Sequence, residues 1–304
     1  MSGGRGRFEA RRDNGIIRRS SHILLIFLLG VTPGLAQTSS SPAAVATHPP
    51  ASVSFNLTLV PASVLEKRLA QFKGNNMDRE NTLRTIFSQA GCSTADITTV
   101  EIGWRQPPDL ICTLPGRSQS EIIVGGHFDY VYAGQGVVDD WSGASLLPTL
   151  YQSLSKTSRR HTFLFIGFSN EEKGLAGSRY YVSRLSREQK AGISAMVNLE
   201  CLGMNDAEVW GDHADPVLLH KLLQTARALH FPLPIVNVER VGTDDAESFR
   251  RRNIPTLTVH SLTQDTLGIL HSPRDRMSAI NRDYYYENYR LVVAYLAYLD
   301  QTLN

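Results

Sequence analysis

The chain has 304 residues, of which 42% are hydrophobic and 20% are charged. Its formal net charge of +2 at pH 7 comes from the first 36 residues, which contain six arginines and two acids; without them, 25 basic and 27 acidic residues remain. This balance excludes a strongly basic nucleic-acid-binding protein, so we expect no nucleic-acid partner. The length suffices for one large domain with a substantial core.

The beginning of the chain has the layout of a secretory signal peptide. Six arginines precede an apolar run from Ile23 to Val31, and the small residues Gly34 and Ala36 mark a cleavage site after residue 36. The apolar run is too short to span a membrane, because a transmembrane helix needs about 20 apolar residues. We therefore expect residues 1–36 to be removed on export, which would leave a secreted or periplasmic protein with no stable membrane anchor.

The rest of the chain divides into a linker and a single domain. Residues 37–53 are rich in Ser, Ala, Thr and Pro, which predicts a flexible linker. Residues 54–304 are predicted to form one domain. In an exported protein its cysteines Cys92 and Cys112 could form a disulfide, but the sequence leaves the distance between them open. Cys201 would then be a buried and inert thiol.

Helices and strands alternate through this domain. Helices are predicted at residues 65–90 with a break at 74–76, and at 143–155, 178–185, 215–230, 244–252 and 282–303. Strands are predicted at residues 97–104, 110–113, 121–125, 161–168, 193–199, 235–238 and 254–260. This order favours an α/β fold, a three-layer α/β/α sandwich around a central, mostly parallel (mixed) sheet. In such folds the ligand site lies beyond the carboxyl ends of the strands.

Side chains that can bind metal follow several of these strands directly. They are His127, Asp129, Asp139, Asp140, Glu171, Glu172, Glu200 and His271. Each has a plainer explanation by itself, such as a capped loop histidine, a helix N-cap or a solvated glutamate. Adjacent buried carboxylates are costly unless a cation compensates them, so the whole set predicts a metal site. Imidazole with carboxylate ligands favours zinc, with manganese and cobalt as alternatives.

Six motifs in a fixed order connect the chain to a known family. They are Gly-Gly-His127-Phe-Asp129, Asp139-Asp140-Trp-Ser-Gly143, Asn-Glu171-Glu172-Lys-Gly-Leu-Ala-Gly-Ser178, Val-Asn-Leu-Glu200, Thr243-Asp244 before Phe249, and His271-Ser-Pro-Arg-Asp275. With them the chain resembles, over roughly residues 60 to 300, the family-28 metallopeptidases. These are two-zinc exopeptidases of the zinc-exopeptidase fold that include secreted aminopeptidases, glutamate carboxypeptidase II and, more distantly, the glutaminyl cyclases.

The resemblance implies a ligand set for two Zn2+ ions per chain. Asp139 would bridge the two ions. His127 and Glu200 would complete the protein ligands of one ion, and Glu172 and His271 those of the other. Three protein ligands for each ion leave room for the shared water that a catalytic site needs.

The resemblance also implies catalytic roles. Glu171 would be the general base for a metal-activated water, and Asp129 would orient the ring of His127. The peptide bond between Asp139 and Asp140 would be cis. Residues 54–304 would then form a zinc-peptidase catalytic domain that acts on peptide substrates.

Two positions depart from the aminopeptidases of this family. Glu200 stands where they usually have Asp, and Glu at this position is familiar among related carboxypeptidases, so the choice between the amino and carboxyl ends stays open. Trp141 replaces a small residue after the Asp-Asp pair. Its side chain would either pack at the start of a helix or narrow the substrate pocket.

A secreted zinc-dependent aminopeptidase, a hydrolase of peptide bonds, is the leading functional hypothesis. The alternatives are a glutaminyl-peptide cyclotransferase-like acyltransferase, a carboxypeptidase of the same fold, and a binding domain without catalysis. Loops at residues 203–206 and 262–270 are expected to form pocket walls, and surface or core-edge positions are expected for His213, Asp245 and His260. Side-chain specificity and oligomeric state are left open.

Overall fold

The computed structural model of the protein describes residues 22–28, 52–237 and 242–303. Most of the predicted signal peptide and linker therefore lies outside the described residues. Within the described ranges, no helix combines the length and the apolar character that a membrane crossing requires.

The strands and helices agree closely with the predicted alternation. The strands are β1 His22–Leu28, β2 Ser52–Thr58, β3 Ile97–Val100, β4 Asp109–Leu114, β5 Glu121–His127, β6 Thr162–Phe168, β7 Ile193–Glu200, β8 Glu208–Trp210, β9 Ile235–Val236 and β10 Thr256–His260. The helices are α1 Ala62–Leu69, α2 Asn76–Gln89, α3 Ser142–Ala144, α4 Leu147–Leu154, α5 Ala176–Arg184, α6 Arg187–Gly192, α7 Pro216–Ala228, α8 Ala246–Arg250 and α9 Arg282–Thr302.

Across the described part of the chain, eight strands form one mixed sheet in the order β3-β4-β6-β5-β7-β10-β8-β9. The four central strands β6, β5, β7 and β10 are parallel. Strands β3 and β4 at one side and β8 at the other introduce antiparallel pairs. Strands β1 and β2 pair separately as an antiparallel ribbon. The parallel centre matters for function, because it brings the carboxyl ends of four strands to the same edge.

Helices cover both faces of the sheet, which confirms the predicted three-layer sandwich. Alternate residues of β5 show this directly: Ile122 and Val124 pack in the larger hydrophobic cluster, and Ile123 packs in the smaller one. The larger cluster contains buried residues of α2, α4, α7 and α9. The smaller cluster contains Tyr181 of α5 and Phe249 of α8.

Local sequence explains most of the boundaries. The predicted break in the first helix is real: Asn75 caps α2 by accepting hydrogen bonds from the backbone N of Met77 and of Asp78. The predicted helix at 143–155 is split into α3 and α4, and Pro148 lies in the first turn of α4, where its missing N–H is tolerated. The short elements β8 and α6 were not predicted. Neither were β1, which lies in the predicted signal peptide, and β2, which begins in the predicted linker.

The cysteines behave as the sequence suggested for an exported protein. Cys92 and Cys112 form a disulfide, with their Cα atoms 6.5 Å apart, and it joins the chain after α2 to β4. Cys201 is a buried free thiol.

Candidate active site

The ligand residues predicted from the sequence meet at one edge of the sheet. His127 ends β5 and Glu200 ends β7, while Glu171 and Glu172 lie in a short helical turn directly after β6. Asp139 precedes α3, and His271 lies in a loop between β10 and α9. The peptide bond between Asp139 and Asp140 is cis, as the family resemblance implies.

One set of possible metal ligands consists of His127, Asp139 and Glu200, which we call the strand group. His127 Nε2 lies 3.1 Å from Asp139 Oδ1 and 3.5 Å from Glu200 Oε1. His127 is only 1% exposed. The three side chains present an imidazole nitrogen and carboxylate oxygens around one point, which is the donor set that zinc prefers.

A second set consists of Asp139, Glu172 and His271, which we call the loop group. His271 Nε2 lies 3.2 Å from Asp139 Oδ2 and 2.9 Å from Glu172 Oε2. Asp139 therefore turns one oxygen toward each histidine, as a carboxylate that bridges two metal ions would do. The side chain of His271 is 57% exposed, in contrast to that of His127.

Two further aspartates hold these ligands in place. The Oδ1 atom of Asp129 lies 3.4 Å from His127 Nδ1 and accepts a hydrogen bond from the backbone N of Glu171. Its Oδ2 atom accepts from the backbone N of Glu172. Asp140 accepts hydrogen bonds from the backbone N of His127 and of Cys201. Both aspartates are buried, so they fix the ends of β5 and β7 and the glutamate turn relative to one another.

Residues 135–138, just before Asp139, are held from two sides by opposite charges. Asp275 Oδ1 accepts hydrogen bonds from the backbone N of Val137 (2.8 Å) and of Val138 (2.7 Å). The buried guanidinium of Arg79 in α2 donates to the carbonyl oxygens of Gln135 and Gly136. The position of Asp139 therefore depends on contacts from α2 and from the loop that carries His271.

The electrostatics of the cluster are those expected of a site built for cations. Burial raises the pKa of Glu171 well above its usual range. Burial, together with the charge of Asp139, raises the pKa of Glu172 to about 7. The Oε1 atom of Glu172 is buried without a hydrogen-bond partner among the described residues. Carboxylates that repel one another, with an oxygen left unpaired, fit a pair of metal ions.

A pocket of about 120 Å³ opens beside the two groups. Its lining comprises Asp139, Glu171, Glu172, Glu200, Cys201, Trp210, Gly242, Thr243, Asp244, Thr258, His260, Leu262, Leu270 and His271. Leu262 and Leu270 line it as expected of their loop, whereas residues 203–206 do not. Trp141 is fully buried and its Nε1 donates to the backbone O of Arg68. Of the two alternatives that the sequence left open, the structure supports packing at the start of the helix and not a pocket wall.

Several pocket and support residues were not found from the sequence. Trp210 belongs to the three-residue strand β8, which gives no periodic signal. Arg79 precedes the buried Leu83 by four residues, so it lies on the apolar face of α2, and that position was the available signal. His260 is buried and lines the pocket, while His213 stacks on Trp210 at 4.2 Å and Asp245 is fully buried.

The fold, the paired ligand groups and the motifs together define a metallopeptidase-like α/β protein. The chain belongs to peptidase family M28, whose model matches residues 109–296. It is 29% identical over 150 residues to leupeptin-inactivating enzyme 1 of Streptomyces exfoliatus, a match that covers 48% of this chain and 34% of that protein. The chain thus spans about a third of this relative's length.

Solved structures with the same fold come from two functional branches. The Legionella pneumophila LapA aminopeptidase matches with a TM-score of 0.70 and 24% identity, over 80% of this chain and 72% of that chain. A glutaminyl cyclase from an Acidobacteriales bacterium matches with a TM-score of 0.68 and 17% identity, over 86% of this chain and 99% of that chain. At these identities the matches show the fold.

Proposed function

We propose that the chain is an exported zinc aminopeptidase that hydrolyses the N-terminal peptide bond of peptides. The observation that carries this proposal is the position of Asp139, whose two carboxylate oxygens each face a different histidine-carboxylate group. Membership of peptidase family M28 and the donor chemistry both support two Zn2+ ions, held by the strand group and the loop group. When bound, the two ions would polarise the scissile carbonyl and make a water molecule more acidic.

Glu171 is the residue that we assign to proton transfer. Its carboxylate lines the pocket beside Asp139, with Oε2 3.9 Å from His127 Nε2. The hydrogen bond from its backbone N to Asp129 Oδ1 fixes the turn that carries it. Burial raises the pKa of Glu171, and this direction suits a carboxylate that takes a proton from water and passes it to the leaving amine.

The charge of the pocket favours the amino end of the substrate over the carboxyl end. Among the described residues that line it, five are acidic and none is Lys or Arg: Asp139, Glu171, Glu172, Glu200 and Asp244. Two zinc ions would balance four of these five charges. The remaining negative charge attracts an α-ammonium group and repels an α-carboxylate, so Glu200 in place of Asp is compatible with an aminopeptidase.

Export is part of the proposal. The N-terminal segment has the layout of a signal peptide, and the disulfide between Cys92 and Cys112 is of the kind that forms in oxidising compartments. We therefore place the enzyme outside the cytoplasm.

The decisive experiment is a Glu171→Gln variant loaded with zinc. We expect its kcat on aminoacyl substrates to fall by about 10²–10⁴-fold while two zinc ions per chain are retained, because only the proton acceptor is lost. Glu208→Gln, which changes a partly buried glutamate of β8 outside the pocket lining, is the matched control and should keep wild-type activity. Wild-type turnover by Glu171→Gln would refute the assignment of the base.

Two further kinds of substrate, peptides with a free carboxyl terminus and peptides with an N-terminal glutamine, separate the alternatives. A carboxypeptidase would cleave substrates with a free carboxyl terminus, and a binding domain would cleave neither class. A glutaminyl cyclase would convert an N-terminal glutamine to a pyroglutamyl product without releasing the next residue, which mass spectrometry of the product detects.

A further inference from the structure

Two buried ring nitrogens beside the ligand cluster have no hydrogen-bond partner within the described part of the chain. His260 of β10 and Trp210 of β8 both line the pocket, and they are 1% and 5% exposed. Neither His260 Nε2 nor Trp210 Nε1 has a partner among the described residues. A buried polar group without a partner is rare in native proteins and needs an explanation.

The hydrogen on the His260 ring can be assigned from its other nitrogen. The backbone N of Leu262 donates to His260 Nδ1 at 3.1 Å. Only an unprotonated Nδ1 accepts such a bond, so a neutral ring carries its hydrogen on Nε2. His260 Nε2 is therefore a donor.

The strand register places both donors on the side of the sheet that Glu200 occupies. His260 pairs with Glu200 of β7 and with Glu208 of β8. Paired residues on neighbouring strands point to the same face, and so do residues two apart along one strand. Trp210, two residues after Glu208, therefore shares that face with His260. Both side chains line the pocket next to Glu200, which is a proposed zinc ligand.

The charge around these donors selects the kind of acceptor that would satisfy them. Glu200 and Asp244 line the same pocket, so an anionic side chain would be repelled. A neutral carbonyl oxygen would accept from His260 and Trp210 without that penalty. The amide NH2 attached to such an oxygen would face Asp244, which is 5% exposed. The Asp244 oxygens already accept from the backbone N of Ala246 and from Thr258 Oγ1, and a carboxylate with about four acceptor positions can accept a further bond. A carboxamide thus matches the donors and the acceptor together.

We propose that His260 and Trp210 make the enzyme selective for an N-terminal residue whose side chain ends in a carboxamide, glutamine or asparagine. This inference rests on the proposed aminopeptidase function, because it identifies the pocket as the binding site for the first side chain of the substrate. A site built to hydrogen-bond a substrate group disfavours the analogue that lacks it, since its own buried groups then stay unpaired.

The test uses the zinc-loaded full chain and two pairs of near-isosteric 4-nitroanilide substrates. The Gln substrate is compared with the Met substrate, and the Asn substrate with the Leu substrate. We expect kcat/KM to be at least about tenfold higher for the amide of each pair. His260→Leu and Trp210→Phe should each reduce this ratio severalfold, and Trp210→Phe keeps an aromatic ring while it removes the N–H donor together with part of the indole. A ratio is independent of the fraction of enzyme that is folded.

His161→Leu is the matched control. His161 is a fully buried histidine outside the pocket, and its Nε2 also has no partner among the described residues. This variant should leave the Gln/Met ratio unchanged. Equal or better cleavage of Met and Leu by the wild type, or ratios that neither pocket variant changes, would overturn the specificity while leaving the aminopeptidase function intact. If the zinc-loaded wild type released nitroaniline from none of the four substrates, the proposed function itself would fail.

Discussion

The strand group and the loop group share Asp139, yet the chain holds them in different ways. In the strand group, His127 and Glu200 are the last residues of neighbouring parallel strands, so the hydrogen bonds of the sheet fix their separation. In the loop group, His271 lies between strand β10 and helix α9 with a left-handed backbone (φ 52°) and an exposed side chain. One half of the site is part of the core, and the other half depends on contacts between loops.

This contrast shows where the geometry of the site can be lost. His127 and Asp139 of the strand group are buried and Glu200 is partly buried, so removing His127 leaves uncompensated charge inside the protein. The loop group can lose a ligand to solvent at little cost to the fold, but its shape depends on Asp275 and Arg79, which hold the segment before Asp139. Each prediction below tests one side of this difference.

The largest effect is expected from removing one histidine from each group. In the metal-free protein, His127→Ala should lower the free energy of unfolding by about 3–5 kcal/mol, because it removes the buried partner of Asp139 Oδ1 and leaves only the largely exposed His271 beside that carboxylate. His271→Ala should cost less than about 1 kcal/mol, because its side chain is mostly in water. Both variants should lose activity. Urea denaturation with a chelator present measures the difference, and equal losses of stability would mean that the two groups are held alike.

A pH-dependent change in stability is expected at Asp109, which contacts the chain just before the turn that carries Glu171 and Glu172. Asp109 Oδ1 accepts a hydrogen bond from the backbone N of Ser169, and burial raises the pKa of Asp109 to about 7. The folded state therefore binds the carboxyl proton of Asp109 more tightly than the unfolded state does. The contribution of Asp109 to stability is fully present below pH 4 and declines as the pH rises toward 7.

Asp109→Asn removes that titration. The stability of this variant relative to wild type should rise with pH between 4 and 7, by at most about 1.4 kcal/mol per pH unit, and be constant above pH 7. Asp300→Asn is the control that should show almost no trend in this range: burial raises the pKa of Asp300, but hydrogen bonds from His161 outweigh it and lower that pKa overall, so its titration lies below about pH 4. Denaturation of the metal-free proteins from pH 4 to 8 gives both curves. A flat difference for Asp109→Asn would show that Asp109 releases its proton at the same pH in the folded and unfolded states, so that its pKa is not raised by folding.

The smallest effect concerns the support of the loop group. Asp275→Ala removes the acceptor of two backbone N–H groups beside Asp139, and we expect the affinity for the more weakly bound zinc ion to fall about 10–100-fold. Asp275→Asn keeps an oxygen at the same place and should restore most of that affinity. The absorption spectrum of the cobalt-substituted protein should change in the Ala variant alone.

Asp300 again provides a matched control. Its carboxylate accepts from the consecutive backbone N atoms of Arg160 and His161, at the end of α9 and outside the ligand groups. Asp300→Ala should destabilise the fold while leaving zinc affinity unchanged. If both alanine variants weakened metal binding equally, the effect of Asp275 would be general instability.

Much of this architecture follows from local sequence. The long periodic helices α2, α7 and α9 and the apolar strands β5, β6, β7 and β10 were predicted, because each buries a face whose period shows in the sequence. The ligand set came from the motifs, and the structure brings all of these residues together. Their roles in metal binding and proton transfer stay predictions.

The remaining features depend on contacts between distant segments. Whether Trp141 faced the pocket or the core could not be decided from its neighbours in the chain, and the structure places it in the core. Asp109 and Arg79 act on turns that lie far away in sequence. The position of Arg79 on the apolar face of α2 indicates that it is buried, but no local pattern identifies the turn that either residue holds. Trp210 reaches the pocket only because the short β8 pairs with β10.

The disulfide between Cys92 and Cys112 has a consequence for catalysis as well as for the fold. Helix α2 carries Arg79 in its first turn and is followed directly by Cys92, so the covalent bond to β4 anchors the end of the helix opposite to the one that holds Gln135 and Gly136. The helix is thereby connected at one end to the sheet and at the other to the segment before Asp139. An oxidising compartment would complete this connection, so export and the assembly of the proposed metal site would be coupled through a single helix.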